Sequence, residues 1–192
     1  SDTQSGHRIE KTVFVECGAS YRTDGPAHLK SVGETEYVAH NAATSARSPD
    51  KARIAGIVSF VNLTLDHDDI ARALDAHEQA GNGLFRGIRH SGPHDSTGTL
   101  SNAGTRGPGL YRNEAFRDGV RQLGAAGYTY DTWHFFHQNR DFLDLARAAP
   151  GTTMVLDHFG TPLGAGAYAG RRDEIFQLWK RDIADIATCP NV

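Results

Sequence analysis

An aspartate and a histidine stand side by side at the end of a short apolar run. Asp157 and His158 follow Met154–Leu156, and Gly160 and Pro162 then turn the chain. An imidazole can bind a metal ion, transfer a proton or polarise a carbonyl near neutral pH. Because side chains alternate along a strand, we expect only one of the two to enter a shared pocket. The pair therefore predicts a binding or catalytic site at this strand end, the alternative being a solvent-facing cap.

A fixed cation stands beside a second histidine at another predicted strand end. Arg89 and His90 close the stretch FRGIRH. An arginine in such a place can bind a carboxylate or a sugar oxygen through a bidentate hydrogen bond. The alternative is a salt bridge from Arg89 to Asp131 or to Glu16.

A carboxylate and an indole share one face of a third predicted strand. In Tyr128–Trp133, strand alternation places Thr129, Asp131 and Trp133 on the same side. Together they could bind a sugar-like ring, with the indole stacked on its apolar face and the carboxylate bonded to a hydroxyl. Trp133 could equally belong to the core. His134 and His137 follow at a spacing compatible with metal binding, but the sequence shows no third ligand near them.

These residues are positioned by a repeated pattern of β-branched runs and amphipathic stretches, which is typical of parallel α/β folds. Because the carboxyl ends of parallel strands meet at one edge, we expect the charged residues there, Glu16 included, to surround one pocket. The loop Ser91–Arg112 is long, and we interpret it as a lid rather than a disordered segment. The predicted strands are Val13–Cys17, Ile54–Leu63, Leu84–Arg89, Tyr128–Trp133 and Thr153–His158. The predicted helices are Asp68–Ala80, Asn113–Ala126, Arg140–Ala149 and Asp173–Ala187.

The size of the repeat limits the architecture. Five β/α units in 192 residues take roughly 38 residues each, and eight would need about 300, within the range of a (β/α)8 barrel. The chain is thus either a five-strand α/β domain or the middle of a barrel. We treat residues 1–192 as one domain that is incomplete at both ends.

Composition excludes several classes of function. The net charge is −3, from 20 Lys and Arg against 23 Asp and Glu, without charged blocks, which disfavours nucleic acid and membrane surfaces as partners. No apolar run could span a membrane and no secretory signal is visible. Cys17 and Cys189 lack a CxxC spacing, so we expect a reducing cytoplasm. The sequence contains no GxSxG, Walker, GxGxxG or HExxH motif.

Several stretches resemble one enzyme family. They are TVFVECGASYR, FRGIRH, GPGLYRNEAFRDGVRQLGAAGYTYDTWHFFHQ and TMVLDHFGTPLGAGAYAGRRDEIFQLWKRDIADIATCPNV. They look like the amidohydrolase-related TIM-barrel proteins, which include sugar-acid and dicarboxylate lactonases. The resemblance runs from about Lys11 to the end of the chain. It implies a partial (β/α)8 barrel containing strands two to six, with the family's His-x-His strand and its last-strand Asp outside this sequence.

The resemblance also implies roles for individual residues. His158 matches a histidine that contacts the metal or the substrate carbonyl, and Arg89 with His90 matches the end of the fourth strand. Asp131 and Trp133 match a D-x-W pattern, and Gln138 matches the glutamine that follows it. His137 falls where the family commonly has proline. Such lactonases differ in whether they need a metal. Two possibilities therefore stay open: a divalent ion such as zinc, held in part by His158, or no metal at all.

These inferences lead to one leading function and two alternatives. We expect a hydrolase in which water attacks a lactone or related ester or amide carbonyl of an anionic sugar acid or dicarboxylate. In it the catalytic residues are His158 and Arg89, which stabilise the oxyanion, and Asp131, which orients the ring. The substrate-binding residues are His90, Trp133, Glu16 and Gln138. The alternatives are a non-catalytic barrel fragment, whose open sheet edges would favour oligomers, and a metal-dependent decarboxylase.

Overall fold

The computed structural model describes residues 6–48, 51–98, 100 and 107–192. Within them, strands alternate with helices along the chain. The strands are β1 (Lys11–Val15), β2 (Arg53–Ser59), β3 (Phe85–Arg89), β4 (Thr129–Thr132) and β5 (Met154–Leu156). The longer helices are α1 (Val32–Ser45), α2 (His67–Gly81), α3 (Glu114–Ala125), α4 (Asn139–Ala148) and α5 (Arg172–Ile186). None of these described helices is long and apolar enough to cross a membrane.

The chain divides into two compact units, and the first contains Ser1–Asn62 and His67–Arg89. Its strands are parallel: β1 pairs with β2, and β2 pairs with β3. Helices α1 and α2 pack against each other, and α1 also packs on β2. The apolar side chains at these contacts are fully or almost fully buried, among them Val32, Ile57, Ile70 and Leu74.

Helix α1 is absent from the sequence-based prediction, which is wrong on this point. Its sequence, VGETEYVAHNAATS, carries small residues where an amphipathic helix has large apolar ones. The small residues permit close packing: a Cβ atom added to Gly33 would lie 2.4 Å from the carbonyl oxygen of Ser20. Periodicity of large side chains cannot detect a helix that packs through its backbone.

The second unit contains Leu63–Asp66 and His90–Val192, and its strands β4 and β5 are parallel. Its core is aromatic: the ring of Phe116 lies 6.1 Å from Tyr111 and 5.8 Å from Tyr130, and Phe142 lies 6.3 Å from Tyr111. Helix α3 begins where predicted, because the side chain of Asn113 accepts a 3.1 Å hydrogen bond from the backbone N–H of Phe116. A smaller cluster contains Phe136, Tyr168 and Ile175.

All five predicted strands exist, but several end earlier than predicted. Strand β2 ends at Ser59 rather than Leu63, and β1 ends at Val15, one residue before Glu16. Strand β5 ends at Leu156, so Asp157 and His158 lie in the turn that follows it. The argument that alternation sends these two side chains to opposite faces is therefore wrong. The predicted single domain over residues 1–192 stays a prediction.

Candidate functional site

His158 lies in an irregular turn directly after β5, and its side chain is exposed. The backbone there is left-handed, with φ of 52° at both His158 and Phe159, where the sequence suggested a simple strand end. Such a backbone is uncommon for residues other than glycine. The turn therefore presents the imidazole to solvent at the carboxyl end of a strand, where parallel α/β proteins place functional groups.

Asp131 and His90 are brought together at the ends of their segments. The backbone carbonyl of Asp131 accepts a 3.3 Å hydrogen bond from the N–H of His90. The carboxylate of Asp131 is 6% exposed and accepts a 3.1 Å hydrogen bond from the Thr129 hydroxyl. The side chains of Thr129 and Asp131 share one face of β4, as alternation predicts.

The ring of His90 is 1% exposed and is fixed by its surroundings. Its Nδ1 atom accepts a 3.2 Å hydrogen bond from the N–H of Leu63, and its edge meets Phe116 at 5.1 Å. Because Nδ1 accepts, the proton of the neutral ring is on Nε2. His90 is thus a buried imidazole with a defined tautomer.

In the first unit, Arg89 pairs with Glu16 after strand β1. Its Nε atom lies 3.0 Å from Oε1 of Glu16, and Nη2 donates a 2.5 Å hydrogen bond to the Glu16 carbonyl. The two side chains are 21% and 19% exposed. The salt bridge that the sequence left as an alternative is therefore present, and it fixes the direction of the guanidinium.

Glu34, which the sequence reasoning missed, anchors the loop after β1. The side chain is 2% exposed, and its Oε1 accepts hydrogen bonds from the N–H groups of Cys17 at 3.2 Å and Ala19 at 2.7 Å. The thiol of Cys17 lies 3.4 Å from the same oxygen. Burial and the Glu34 carboxylate raise the pKa of this thiol, so Cys17 is held protonated. Because helix α1 was not predicted, nothing in the sequence placed Glu34 beside this loop.

Gln138 is bonded to the chain that follows β3. Its Oε1 accepts from the N–H of His94 at 2.9 Å, and its Nε2 donates to the carbonyl of Gly92 at 2.7 Å. Next to it, Nε2 of His137 donates to the carbonyl of His94 at 2.7 Å. These contacts hold the first part of the predicted lid in place. Residues 99 and 101–106 of that loop lie outside the described residues.

Asp95 fastens the same segment. Its carboxylate accepts hydrogen bonds from the hydroxyl of Tyr168 at 2.9 Å, from the N–H of Leu100 at 2.8 Å and from both the N–H and the hydroxyl of Thr97. Burial works against ionisation, but these donors prevail and hold the pKa of Asp95 well below its usual range. The carboxylate therefore stays charged as an internal anchor.

His134 belongs to a buried chain of hydrogen bonds rather than to a metal site. The hydroxyl of Tyr111 lies 2.7 Å from the hydroxyl of Thr132 and 3.1 Å from Nδ1 of His134. On its other side, Nε2 of His134 lies 2.9 Å from Oδ1 of Asn139. Burial lowers the pKa of His134 to about 4, so the ring is neutral near neutral pH.

Trp133 lies against the turn that carries His158. Its indole Nε1 donates a 2.9 Å hydrogen bond to the hydroxyl of Thr161, and its ring meets Phe135 edge-on at 5.6 Å. The side chain of Trp133 is partly buried. Its exposure is thus intermediate between that of a core residue and that of an exposed stacking surface, the two roles that the sequence allowed.

The described residues do not form a complete metal centre. Over residues 6–48, 51–98, 100 and 107–192, no three His, Cys, Asp or Glu side chains are grouped so that they could hold an ion. His158 could supply one ligand at most. A structural zinc site needs four protein ligands and a catalytic one usually needs three, so this donor set does not fit a resident metal by itself.

Comparison with known proteins gives a family. The family model described as "Amidohydrolase" matches residues 9–192. An uncharacterized protein, y4mH of Sinorhizobium fredii, is 29% identical over 137 residues, which are 71% of this chain and 42% of that protein. The chain thus spans less than half the length of this relative.

Crystal structures of an amidohydrolase from Burkholderia multivorans are also similar. The form with bound HEPES matches with a TM-score of 0.55 and 25% identity, over 79% of this chain and 47% of the other. The form with bound zinc matches with a TM-score of 0.62 and 23% identity, over 83% and 47%. The fold is therefore α/β, part of a TIM-type barrel, as the sequence predicted.

Proposed function

The chain belongs to the amidohydrolase family, and on that basis we propose that the intact protein is a hydrolase that adds water to a carbonyl group. The family match over residues 9–192 is the observation that carries this proposal. We propose a lactone, or a related ester or amide, of a sugar acid or dicarboxylate as the substrate. The catalytic activity of the whole protein, its substrate and its cytoplasmic location are all part of the proposal.

The reaction requires few groups from the protein. Water adds to the carbonyl carbon, the carbonyl oxygen becomes an oxyanion, and the bond from carbon to the ring oxygen then breaks. The proton lost by the water passes to that ring oxygen, and the product is a hydroxy acid. The protein must stabilise the oxyanion, orient the ring and assist this proton transfer.

His158 is the residue that we assign to the carbonyl. Its exposed imidazole can donate a hydrogen bond to the developing oxyanion, an interaction that strengthens as charge accumulates. Asp131 and His90 are linked through their backbones and are both buried, so they can act as fixed polar groups rather than mobile ones. We propose that they orient the substrate.

Arg89 supports the choice of an anionic substrate. Its guanidinium is oriented by Glu16, and a guanidinium held in a fixed direction suits bidentate recognition of a carboxylate. The contact with Glu16 also neutralises part of its charge, so we expect Arg89 to contribute more to orientation than to affinity. Its predicted part in oxyanion stabilisation stays a prediction.

Metal dependence remains separate from this proposal. The Burkholderia multivorans amidohydrolase crystallised with zinc, but the described residues of this chain do not form a three-ligand set. We therefore derive no step of the reaction through a metal. Metal analysis of the intact protein would show whether ligands outside the described residues complete a site.

Substitution of His158 tests the proposal. In the intact protein, we expect His158→Ala to lower kcat by at least about a hundredfold for any lactone that the wild-type protein hydrolyses. This is the effect of losing one donor to the oxyanion. A suitable assay follows acid release from a panel of aldonolactones and dicarboxylate lactones. The matched control is His40→Ala, which removes an exposed imidazole from helix α1.

Three outcomes would contradict the proposal in different ways. Unchanged hydrolysis by the His158→Ala protein would remove His158 from the mechanism. A wild-type protein that hydrolyses no member of the panel would favour the non-catalytic alternative. Release of carbon dioxide from a carboxylate substrate would favour the decarboxylase.

A further inference from the structure

The turn that carries His158 has an unusual backbone. Its residues His158, Phe159, Gly160 and Thr161 have φ values of 52°, 52°, 68° and 38°. We call these four residues the His158 turn. Only glycine adopts this left-handed region without a penalty, and three of the four residues are not glycine. Such a backbone persists only where its surroundings hold it.

Packing of the turn's own side chains does not explain why it persists. His158 is exposed, and Phe159 is 75% exposed, the largest value among the described large apolar side chains. An exposed phenylalanine gains little from burial, so it cannot fix the backbone. Contacts from neighbouring elements must do so.

Two tryptophans supply those contacts from opposite parts of the sequence. Nε1 of Trp133, just after β4, donates a 2.9 Å hydrogen bond to the hydroxyl of Thr161. Nε1 of Trp179, on α5, donates a 2.6 Å hydrogen bond to the carbonyl of Phe159. An indole N–H has no other hydrogen-bonding role, so each ring is committed to this turn.

The middle of the turn is held by close packing. A Cβ atom added to Gly160 would lie 2.3 Å from Oδ1 of Asn139, so only glycine fits here. Asn139 is fully buried, and the same oxygen lies 2.9 Å from Nε2 of His134. The turn therefore rests on the end of the buried hydrogen-bond chain while the two indoles hold its other groups.

We propose that Trp133 and Trp179 are positioning residues that hold the His158 turn left-handed and so fix the direction of the His158 imidazole. The consequence for catalysis rests on the proposed function, in which His158 acts on the substrate carbonyl. This assignment differs from the role that the sequence suggested for Trp133, which was to stack on a substrate ring. An indole held edge-on by Phe135 and bonded to Thr161 is oriented by the protein rather than by a ligand.

Tryptophan-to-phenylalanine substitutions test the proposal, because they keep an aromatic ring and remove the N–H. In the intact protein, we expect Trp133→Phe and Trp179→Phe each to lower kcat by about tenfold or more, with KM changed by less than about twofold. The second readout is the NMR signal of the His158 ring, which we expect to shift or broaden in both variants. The matched control is Tyr37→Phe, which likewise keeps an aromatic ring and removes its polar group, at an exposed position on helix α1. It should change neither readout.

The test separates positioning from substrate stacking. A Trp133→Phe protein with raised KM and unchanged kcat would show stacking on the substrate and would overturn the proposal. Unchanged His158 signals in both tryptophan variants would also overturn it. If a tryptophan variant fails to fold, Thr161→Ser and Thr161→Ala provide the comparison. The serine keeps the hydroxyl acceptor and should retain the His158 signals, whereas alanine should shift them.

The two proposals can fail independently. If His158→Ala leaves turnover unchanged, the proposed function fails, but the NMR signals still decide whether the indoles position the ring. If His158→Ala abolishes turnover while both tryptophan variants retain full kcat and unchanged signals, the positioning role alone fails.

Discussion

A buried group of three hydroxyls and one imidazole offers a quantitative test of the first unit. His77, on α2, is fully buried, and its Nδ1 lies 2.8 Å from the hydroxyl of Thr35 on α1. That hydroxyl lies 2.7 Å from the hydroxyl of Ser59 on β2. On the other side, Nε2 of His77 lies 3.2 Å from the carbonyl of Phe60 and 3.3 Å from the Ser31 hydroxyl.

The carbonyl fixes the direction of the hydrogen bonds that run from Phe60 through His77 and Thr35 to Ser59. Because the carbonyl of Phe60 can only accept, Nε2 of His77 carries the ring proton and Nδ1 is an acceptor. The hydroxyl of Thr35 must then donate to Nδ1, and the hydroxyl of Ser59 must donate to Thr35. Thr35 is therefore both donor and acceptor in the centre of the network.

Replacing Thr35 with valine, which has nearly the same shape, removes both roles at once. The substitution leaves Nδ1 of His77 and the hydroxyl of Ser59 without their partner, and each buried unsatisfied group costs about 1–3 kcal/mol. Because the Ser59 hydroxyl can rotate toward another acceptor, we expect the free energy of unfolding to fall by about 2–4 kcal/mol.

Urea unfolding of the intact protein, followed by circular dichroism, measures this loss. The control is Thr44→Val on the same helix, where the hydroxyl is exposed, donates to the carbonyl of His40 and accepts from Nη2 of Arg47 at 3.4 Å. We expect the control to change the free energy of unfolding by less than about 0.5 kcal/mol. A Thr35→Val protein that is as stable as this control would refute the assigned network.

Two further predictions concern pH and close packing. Burial lowers the pKa of His77 and His134 from 6.5 to about 4, so between these pH values the unfolded chain binds protons that the folded chain does not. The free energy of unfolding should therefore be highest above pH 6.5 and should fall toward pH 4 by about 3 kcal/mol for each histidine. Unfolding experiments at several pH values measure this decrease. A flat profile across that range would contradict it. Gly119→Ala should destabilise by about 1–3 kcal/mol despite alanine's higher helix propensity, because the added Cβ would lie 2.2 Å from the Leu63 carbonyl oxygen. Gly151→Ala, where a Cβ meets nothing within 4 Å, is the thermal-unfolding control and should be nearly neutral.

The sequence predicted most of the architecture because large side chains recur at regular intervals. Helices α2, α3, α4 and α5 lie within one residue of their predicted bounds, since each buries a stripe of large apolar residues. Helix α1 was missed because its buried face is built from small residues. Strand ends were less well predicted, because the sequence does not distinguish a polar residue that extends a strand from one that begins a turn.

The candidate residues were found by type and position, but their partners were not. The sequence indicated Arg89 and Glu16 separately and left their pairing as one of two alternatives, and the structure shows the pair. It indicated Gln138 as a substrate ligand, which stays a prediction, and it did not indicate that the amide bonds to the backbone after β3. A side chain's partner depends on elements far apart in the chain, which a local pattern does not contain.

The sequence alone determined the alternation of strands and helices, the family and the histidine that follows β5, because all three depend on residue types at short spacing. Only the tertiary structure decided that this histidine stands on a left-handed turn held by Trp133 and Trp179. The physical reason is that this backbone conformation costs free energy locally, and hydrogen bonds from other elements must offset that cost. Those donors lie 28 and 20 residues away from their acceptors in the chain, and folding brings them to the turn.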